Sequence, residues 1–505
     1  MSEPYTFSRR YFFYGSLLAG AIPAGGFGSV ASLTRLGYKS PNEKLNIASI
    51  AAGGKAESDI RGCARYGDNI VALCDPDAAR AARTFQAYPN VPKYTDFRKM
   101  LDKEEKNIDA VIIACPDFMH GIAAMWCMER GKHVYVQKPL TRTVWEARML
   151  TEAARKYKVA TQMGNQGYCQ EGPRVCAEMI WSGAIGDVTE VHAWTNRPIW
   201  KQGVNAPPKE DPIPETLDWD AWLGIAEKRP FSFEYLPFSW RGWYDFGCGA
   251  LGDMACHVLG APNMALLLGF PPTSVECIKK DPPGRNDYMY PMKSTIRFEF
   301  PARGSMPPLK LYWHDGVQGL PAEYWPEDIP KDEKLGDLPR GPAAGRGAAP
   351  PAQPPKPPAP AQSQAAPDPY AAALNERIRP YSTPANSGVL YIGTKGYMTT
   401  GEYGGSPRIV PAAKAEGYQP PAPILPRTQE TYADWIQSCK SGIPAASNFD
   451  VAGPFTEWIV MGCIACRVEG KLEWNSEKMQ FTNNREANKY VKPTFRKGWP
   501  FSSRG

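Results

Sequence analysis

Hydrophobic and polar positions fall in alternating blocks along the first third of the chain. From Leu45 the run LNIASIA is continuously apolar until Gly53 and Gly54 break it, and KAESDIRGCARYG then reads as a helix. NIVALCD is the next apolar run, DPDAARAARTFQAY the next helix, and IDAVIIACP, FMHGIAAMWCMERG and KHVYVQKP continue the alternation. VWEARMLTEAARKYK is a long helix and VATQMGN a last strand. Strands that are apolar throughout are buried on both faces. Separated by helices in this way, they predict a doubly wound parallel sheet over residues 44–165, an α/β fold.

The pattern changes after residue 166. VTEVHAWTNRP, SVECIKK, STIRFEFP and LKLYWHDG alternate as half-exposed strands do, and VLYIGTKGYMTTG reads as a hairpin across Thr394, Lys395 and Gly396. These elements predict a second, α+β domain over residues 166–480, followed by a tail at 481–505. Within it, residues 336–387 contain GAAPPAQPPKPPAPAQSQAAP, which lacks the apolar surface to fold by itself; a disordered or polyproline-like insertion is expected there.

The opening stretch SRRYFFYGSLLAGAIPAGGFG has a different character. Arg9 and Arg10, with Phe12 and Phe13 after them, precede a mild apolar segment, a pattern that resembles a twin-arginine export signal over residues 1–32. The segment falls short of the about 20 strongly apolar residues of a spanning helix, so no stable membrane span is expected. Twin-arginine substrates cross the membrane already folded. The expected location is therefore periplasmic or extracytoplasmic, with any cofactor carried out inside the protein.

Composition narrows the partners. A chain of 505 residues accommodates two or three domains. The net charge of +6 is small for this length and no basic run stands out, so no nucleic-acid partner is expected. The 12 Cys are scattered, many in apolar runs, as buried small hydrophobes are. Cys463 and Cys466 form a CxxC on a helical segment with no second pair nearby, which reads as a packed helix face. Tryptophan lines carbohydrate sites but also fills cores, so the 15 Trp decide nothing alone.

Candidate chemistry begins at the first strand–helix turn, where a dinucleotide pyrophosphate meets a helix N-terminus. Against the G-x-G-x-x-G fingerprint this chain places Ala51, Gly53 and Ala56, with Gly54 and Lys55 opening the helix. The middle glycine is the one expected to let backbone approach phosphate. Asp75 ends the second strand about 20 residues on, where a carboxylate binds the ribose hydroxyls of NAD and repels the 2′-phosphate of NADP. The competing role for Asp75 is a helix N-cap before Pro76.

Three further segments resemble the Gfo/Idh/MocA (glucose–fructose oxidoreductase / inositol dehydrogenase) family. GKHVYVQKPLT is similar to the family's E-K-P motif, with Gln137 in place of Glu and Lys138 at the position of the active-site lysine. ACPDFMHGIAA resembles the strand end and His-bearing helix near the nicotinamide, with Cys115, Pro116, Asp117 and His120; Asp117 could instead only cap the helix. SWRGWYDFGCGALGDMACHVLG carries Asp253 and His257 at i, i+4, on one helix face, preceded by Trp240 and Arg241. The end of TQMGNQG places Asn165 and Gln166 at the family's crossover into the second domain.

The resemblance implies an N-terminal Rossmann domain followed by a large, mostly antiparallel open sheet that covers the cofactor and pairs subunits into a homo-oligomer. It implies Lys138, Asp253 and His257 as catalytic residues, with His257 oriented by Asp253. It also implies a cofactor site built from Ala51, Gly53, Gly54, Lys55, Asp75, Cys115, Pro116, Asp117, His120, Gln137, Lys138, Asn165, Gln166, Trp240 and Arg241. No third ligand accompanies the Asp–His pair, so no metal is expected. The implied activity is NAD-dependent oxidation of a sugar, glycoside or cyclitol hydroxyl, with NAD held tightly. Glycoside cleavage by transient oxidation, elimination and re-reduction, as in glycoside hydrolase family 109, is the alternative, and a cofactor-bound binding module the non-enzymatic one. The aromatic-rich stretch from Trp181 to Trp243 is expected to shape the choice of substrate.

Overall fold

The computed structural model describes residues 44–338 and 386–504. The export signal expected over 1–32 lies outside them, as do residues 339–385 of the expected insertion. The flanks of that insertion are firmly placed. The Gly336 amide donates to Thr399 Oγ1 at 2.9 Å, Asp337 Oδ2 accepts from the Glu402 amide at 3.1 Å, and Ser387 already begins a strand.

The first sheet contains β1 (Asn46–Ile50), β2 (Asn69–Cys74), β3 (Lys93–Tyr94), β4 (Ala110–Ile113), β5 (His133–Val136) and β6 (Thr161–Met163). Its order is β3-β2-β1-β4-β5-β6 and every pair is parallel. This is the doubly wound arrangement the apolar runs predict, with the order reversing beside β1. All four residues of β4 and of β5 are buried. The helices between are α1 (Lys55–Ala64), α2 (Ala78–Ala87), α3 (Phe97–Glu104), α4 (Asp117–Glu129) and α5 (Val144–Tyr157). Helix α5 starts where Thr143 and Glu146 satisfy each other's backbone N–H groups, a capping box written in the sequence as T-V-W-E.

The second sheet has nine strands: β7 (Val188–Thr195), β8 (Ser274–Asp281), β9 (Lys293–Phe300), β10 (Leu309–Asp315), β11 (Ser387–Gly393), β12 (Gly396–Gly401), β13 (Arg408–Val410), β14 (Leu472–Asn475) and β15 (Gln480–Phe481). They lie in the order β13-β12-β11-β7-β10-β9-β8-β14-β15, antiparallel except where β10 runs parallel to β7. The hairpin expected across residues 394–396 is β11–β12, closed by Gly393 opposite Gly396. Alternate residues of β11 face opposite ways, as strand geometry requires. Val389 and Tyr391 enter the main core, whereas Leu390 joins Trp194, Leu320, Ile329 and Val410 in a second small core. Segment 317–338 thus covers part of the sheet's outer face.

The remaining helices are α6 (Glu171–Trp181), α7 (Trp219–Leu223), α8 (Gly249–Val258), α9 (Gly260–Ala265), α10 (Thr431–Ser441), α11 (Phe449–Ala465) and α12 (Arg485–Asn488). Helices α8 and α11 pack on the sheet's inner face, where the Trp458 ring meets the Phe298 ring edge-on. Helix α10 returns to the first domain and puts Tyr432 and Trp435 against Tyr135, while Gly453 of α11 sits against Thr151 of α5. The second domain therefore clasps the first across its back. Cys463 on α11 and Cys466 at its C-terminal cap are both buried, as a packed helix face requires.

Candidate active site

The C-terminal ends of β1, β2, β4 and β5 point to one edge of the first sheet, where a crevice opens against residues 221–241 of the second domain. Ligands of open α/β sheets bind at this edge. At its centre Ala51, Gly53, Gly54 and Lys55 form the β1–α1 turn and line the crevice. Ala51 adopts φ 76° and Gly54 φ 63°. The first is a left-handed conformation that costs an L-residue roughly 1–2 kcal/mol; alanine is the smallest side chain that can bear it. Gly53 has a different reason to be glycine from the expected one. A Cβ there would collide with the Arg80 carbonyl of α2, so the missing side chain serves loop–helix packing. No side chain caps α1, whose first N–H groups are left to an anionic ligand at the positive end of the helix. The cradle fits a dinucleotide pyrophosphate.

Asp75 lines the same crevice, with its carboxylate tied into the turn. Oδ2 accepts from the amides of Ala52 at 2.8 Å and Gly53 at 3.0 Å, and Oδ1 from that of Asp77 at 2.9 Å. Asp77, not Asp75, caps α2, accepting from the Arg80 amide at 3.0 Å. Asp75 therefore shapes the phosphate turn while presenting negative charge where a ribose would lie. Arg80 also lines this end, its side chain lying over Gly54.

Lys138, after β5, reaches α8. Its Nζ donates to the Asp253 carbonyl at 2.7 Å and to Asp253 Oδ1 at 2.8 Å, while Arg241 Nε donates to the same oxygen at 3.1 Å. Burial opposes ionisation of Asp253, but the adjacent ammonium and guanidinium outweigh it and hold the carboxyl well below its ordinary range. Asp253 consequently faces two cations, and no hydrogen bond joins it to His257; the expected orientation of His257 by Asp253 gives way to this stronger pairing. His257 is 8% exposed, its Nδ1 buried without a hydrogen-bond partner and its ring edge-on to Tyr403 at 5.0 Å. Burial, with the Lys138 charge, pushes it down to about 3, so its imidazole is neutral. Asp117 accepts from the Cys248 amide at 3.1 Å; burial pushes its carboxyl up to about 7 against the pull of Arg241 and Lys138.

The other expected cofactor residues divide. Cys115, Pro116, Trp240 and Arg241 line the crevice. His120 does not: it is a buried strut, with Nδ1 at 2.8 Å from the Pro139 carbonyl and Nε2 at 2.7 Å from that of Cys115. Asn165 is buried against the Cys256 carbonyl at 3.5 Å. Gln137 points behind the turn, where its Nε2 donates to Asp59 Oδ2 at 2.8 Å. The other oxygen of Asp59 pairs with Lys55 and accepts from the Tyr432 hydroxyl at 2.7 Å; Gln166 Oε1 accepts from Lys55 Nζ at 3.1 Å. Gln137, Gln166 and Lys55 thus belong to one network around the buried Asp59, with Lys55 at its exposed end. Asp59, Tyr432 and Tyr403 went unread in the sequence. Asp59 alone carries a signal, since it shares the buried stripe of α1 with Ala56, Ile60 and Cys63. Among the described residues, no cluster of three or more His, Cys, Asp or Glu could hold a metal ion, and no helix is long and apolar enough to cross a membrane.

Residues 46–165 match the profile of an oxidoreductase family's NAD-binding Rossmann fold, and residues 181–294 that of the same family's C-terminal α/β domain. Among curated proteins, the chain is 27% identical to levoglucosan dehydrogenase of Pseudarthrobacter phenanthrenivorans over 191 residues, 38% of this chain and 40% of that one. It is 31% identical to a glycosyl hydrolase family 109 protein of Shewanella sp. strain ANA-3 over 157 residues, 29% of this chain and 34% of that one. It spans less than half the length of these relatives. The solved structure of GenD2 from gentamicin A biosynthesis, in complex with NAD, shares the fold with a TM-score of 0.51 at 14% identity, covering 86% of this chain and 97% of its own. With the Rossmann sheet, the phosphate turn and both matched domains in the same order, the chain belongs to the Gfo/Idh/MocA oxidoreductase family.

Proposed function

We propose that this protein oxidises a hydroxyl-bearing carbon of a sugar, glycoside or cyclitol, and that the observation carrying this is a neutral imidazole, its Nδ1 without a hydrogen-bond partner, on the same helix as a doubly paired Asp253. A bound nicotinamide dinucleotide supplies the hydride acceptor. His257 Nδ1 is shut away from solvent, which leaves Nε2 to meet a substrate hydroxyl and take its proton. Lys138, fixed by two bonds to Asp253, stabilises the alkoxide that develops as the proton leaves. Arg241, stacked on Phe238 at 3.9 Å and Trp240 at 4.3 Å, holds Asp253 ionised from the other side. NAD is favoured over NADP because Asp75, Asp77 and Asp96 line the ribose end and repel a further phosphate, Arg80 being the opposing charge. Export by the twin-arginine route, with NAD held through each turnover, completes this reading. So does subunit pairing over the part of the open sheet that segment 317–338 leaves bare, where Ile278 is exposed.

Redox-neutral glycoside cleavage is the second reading. It is favoured by the 31% identity to a family 109 protein, and it goes with the proposed retention of cofactor, since the hydride must then return to the product. One experiment serves both. Lys138→Ala protein is expected to keep its nucleotide and to lose turnover on a panel of sugars, cyclitols and glycosides, assayed by reduced cofactor and by released aglycone. Turnover retained in that variant refutes the assignment; aglycone released without net NADH selects glycoside cleavage.

A further inference from the structure

The pattern of residues 481–505 marks only a tail, and neither matched domain reaches it. In the structure this segment runs back across the nucleotide-binding domain and into the crevice. Trp499, 4% exposed, lines the crevice beside Thr95, Asp96 and Phe97. Its ring meets that of Phe97 at 6.0 Å, and the Arg98 guanidinium lies 3.6 Å from its centroid. These residues follow β3, beyond Asp75 and Asp77. A dinucleotide with its pyrophosphate on α1 and its nicotinamide toward Lys138 must place its adenosine at this end.

The same segment joins the two walls of the crevice. On the second-domain side, Arg496 Nη1 pairs with Asp220 Oδ1 at 2.7 Å, its Nε donates to the Gly224 carbonyl at 2.8 Å and its amide to that of Ile225 at 3.0 Å. Asp220 and Gly224 flank Ala221 and Trp222, which form the facing wall. On the nucleotide-domain side, Arg98 Nη1 donates to the Gly498 carbonyl at 2.7 Å, Trp126 Nε1 to that of Pro500 at 3.0 Å, and the Ser503 amide to Glu129 Oε2 at 2.8 Å. For the facing wall to lift, the Arg496 contacts must break.

We infer that segment 494–504 is part of the nucleotide site: Trp499 is the wall against which the adenine ring packs, and the Arg496 staple keeps the crevice closed over the dinucleotide from one turnover to the next. This rests on the proposed nicotinamide chemistry and deepens it. A flat base gains from stacking its π-face on an aromatic wall, and a cofactor that cannot leave obliges the hydride to depart on a substrate. The reaction class that follows is internally redox-balanced: a second carbonyl compound, or the oxidised intermediate itself, takes the hydride back.

The test uses full-length protein loaded with NADH and chased with excess NAD, following loss of bound NADH fluorescence. Wild type is expected to hold close to one nucleotide per chain through gel filtration. Trp499→Ala is expected to exchange about tenfold faster or more, the scale of a lost base–aromatic contact, and Trp499→Phe to stay near wild type. Arg496→Ala, which keeps the Trp499 ring but removes the staple and the guanidinium 5.7 Å from its centroid, is expected to speed exchange as well, and it carries the test if Trp499→Ala does not fold. Wild-type exchange rates in both variants, or a wild type that exchanges within seconds, overturn the strap and leave the proposed chemistry untouched. A wild type that binds neither NAD nor NADH when saturated overturns that chemistry too.

Discussion

The Lys138–Asp253–Arg241 triad gives the sharpest quantitative prediction. Asp253, its side chain 13% exposed, takes Lys138 at 2.8 Å and Arg241 at 3.1 Å on one oxygen. Asp253→Asn leaves both cations facing a neutral amide in a site with little water. Breaking a fully buried pair from one side costs about 3–5 kcal/mol, because the survivor is left uncompensated; with these three side chains 13–18% exposed, the cost falls toward the low end of that range. Lys138→Met is milder, since Arg241 still holds the carboxylate; a lost charged hydrogen bond is worth about 1.5–3 kcal/mol. The double variant removes the pair together, so its cost falls short of the sum, with a coupling of about 2 kcal/mol, within the range for residues in contact. Urea unfolding followed by tryptophan fluorescence measures all four corners of the cycle. The folded carboxyl lies below its ordinary value, so its contribution is complete above about pH 4 and fades as pH falls further. The Asp253→Asn penalty therefore shrinks on acidification. Costs that add to within about 0.5 kcal/mol at pH 7 would show the triad to be three independent contacts and refute this account.

Three other outcomes are expected. Ala51→Val, which puts a β-branched side chain at φ 76°, destabilises by about 1–3 kcal/mol and weakens nucleotide retention, whereas Ala51→Gly is nearly neutral in urea unfolding. Four of the five histidines, His120, His133, His257 and His314, are pushed down by burial to between about 3 and about 4. The unfolded chain takes up these protons and the folded chain does not, so stability is lost as pH falls from about 6.5 toward 4. Each histidine contributes up to about 1.4 kcal/mol per pH unit, and His257→Gln removes one such share from the measured slope. Gly453→Ala drives a Cβ into Thr151 Oγ1 between α11 and α5 and costs about 1–3 kcal/mol of overpacking; combining it with Thr151→Ala recovers part of that loss, and no recovery would place the strain elsewhere.

The first sheet was legible because its signal is local. β4 and β5 are apolar at every position, and their order follows from the handedness of the connections. Strands β7 to β10 and the β11–β12 hairpin were legible for the same reason, whereas the short edge strands β13, β14 and β15 were not. What eluded the sequence joins distant segments. Trp499 meets Phe97 across some 400 residues, and Tyr403 meets His257 only because the β12–β13 turn folds over α8. Apolar periodicity reports which face of an element is buried and says nothing about its partner.

Gln137 shows how such a long-range partner changes the meaning of a local departure. Set against an E-K-P pattern, glutamine at this position looks like a lost charge beside Lys138. In the fold its amide lies 2.8 Å from Asp59, a fully buried carboxylate on α1 that also holds Lys55 and Tyr432. A glutamate here would set two carboxylates against each other in a site without water, where like charges at hydrogen-bond distance cannot both ionise. An amide can donate where a carboxylate cannot. In this chain the carboxylate sits on the helix that opens the phosphate turn, and Gln137 couples it to the strand before Lys138. Asp59 also holds the ammonium of Lys55, a residue that stays exposed at the mouth of the crevice, and the α1 N–H groups remain as the anion site.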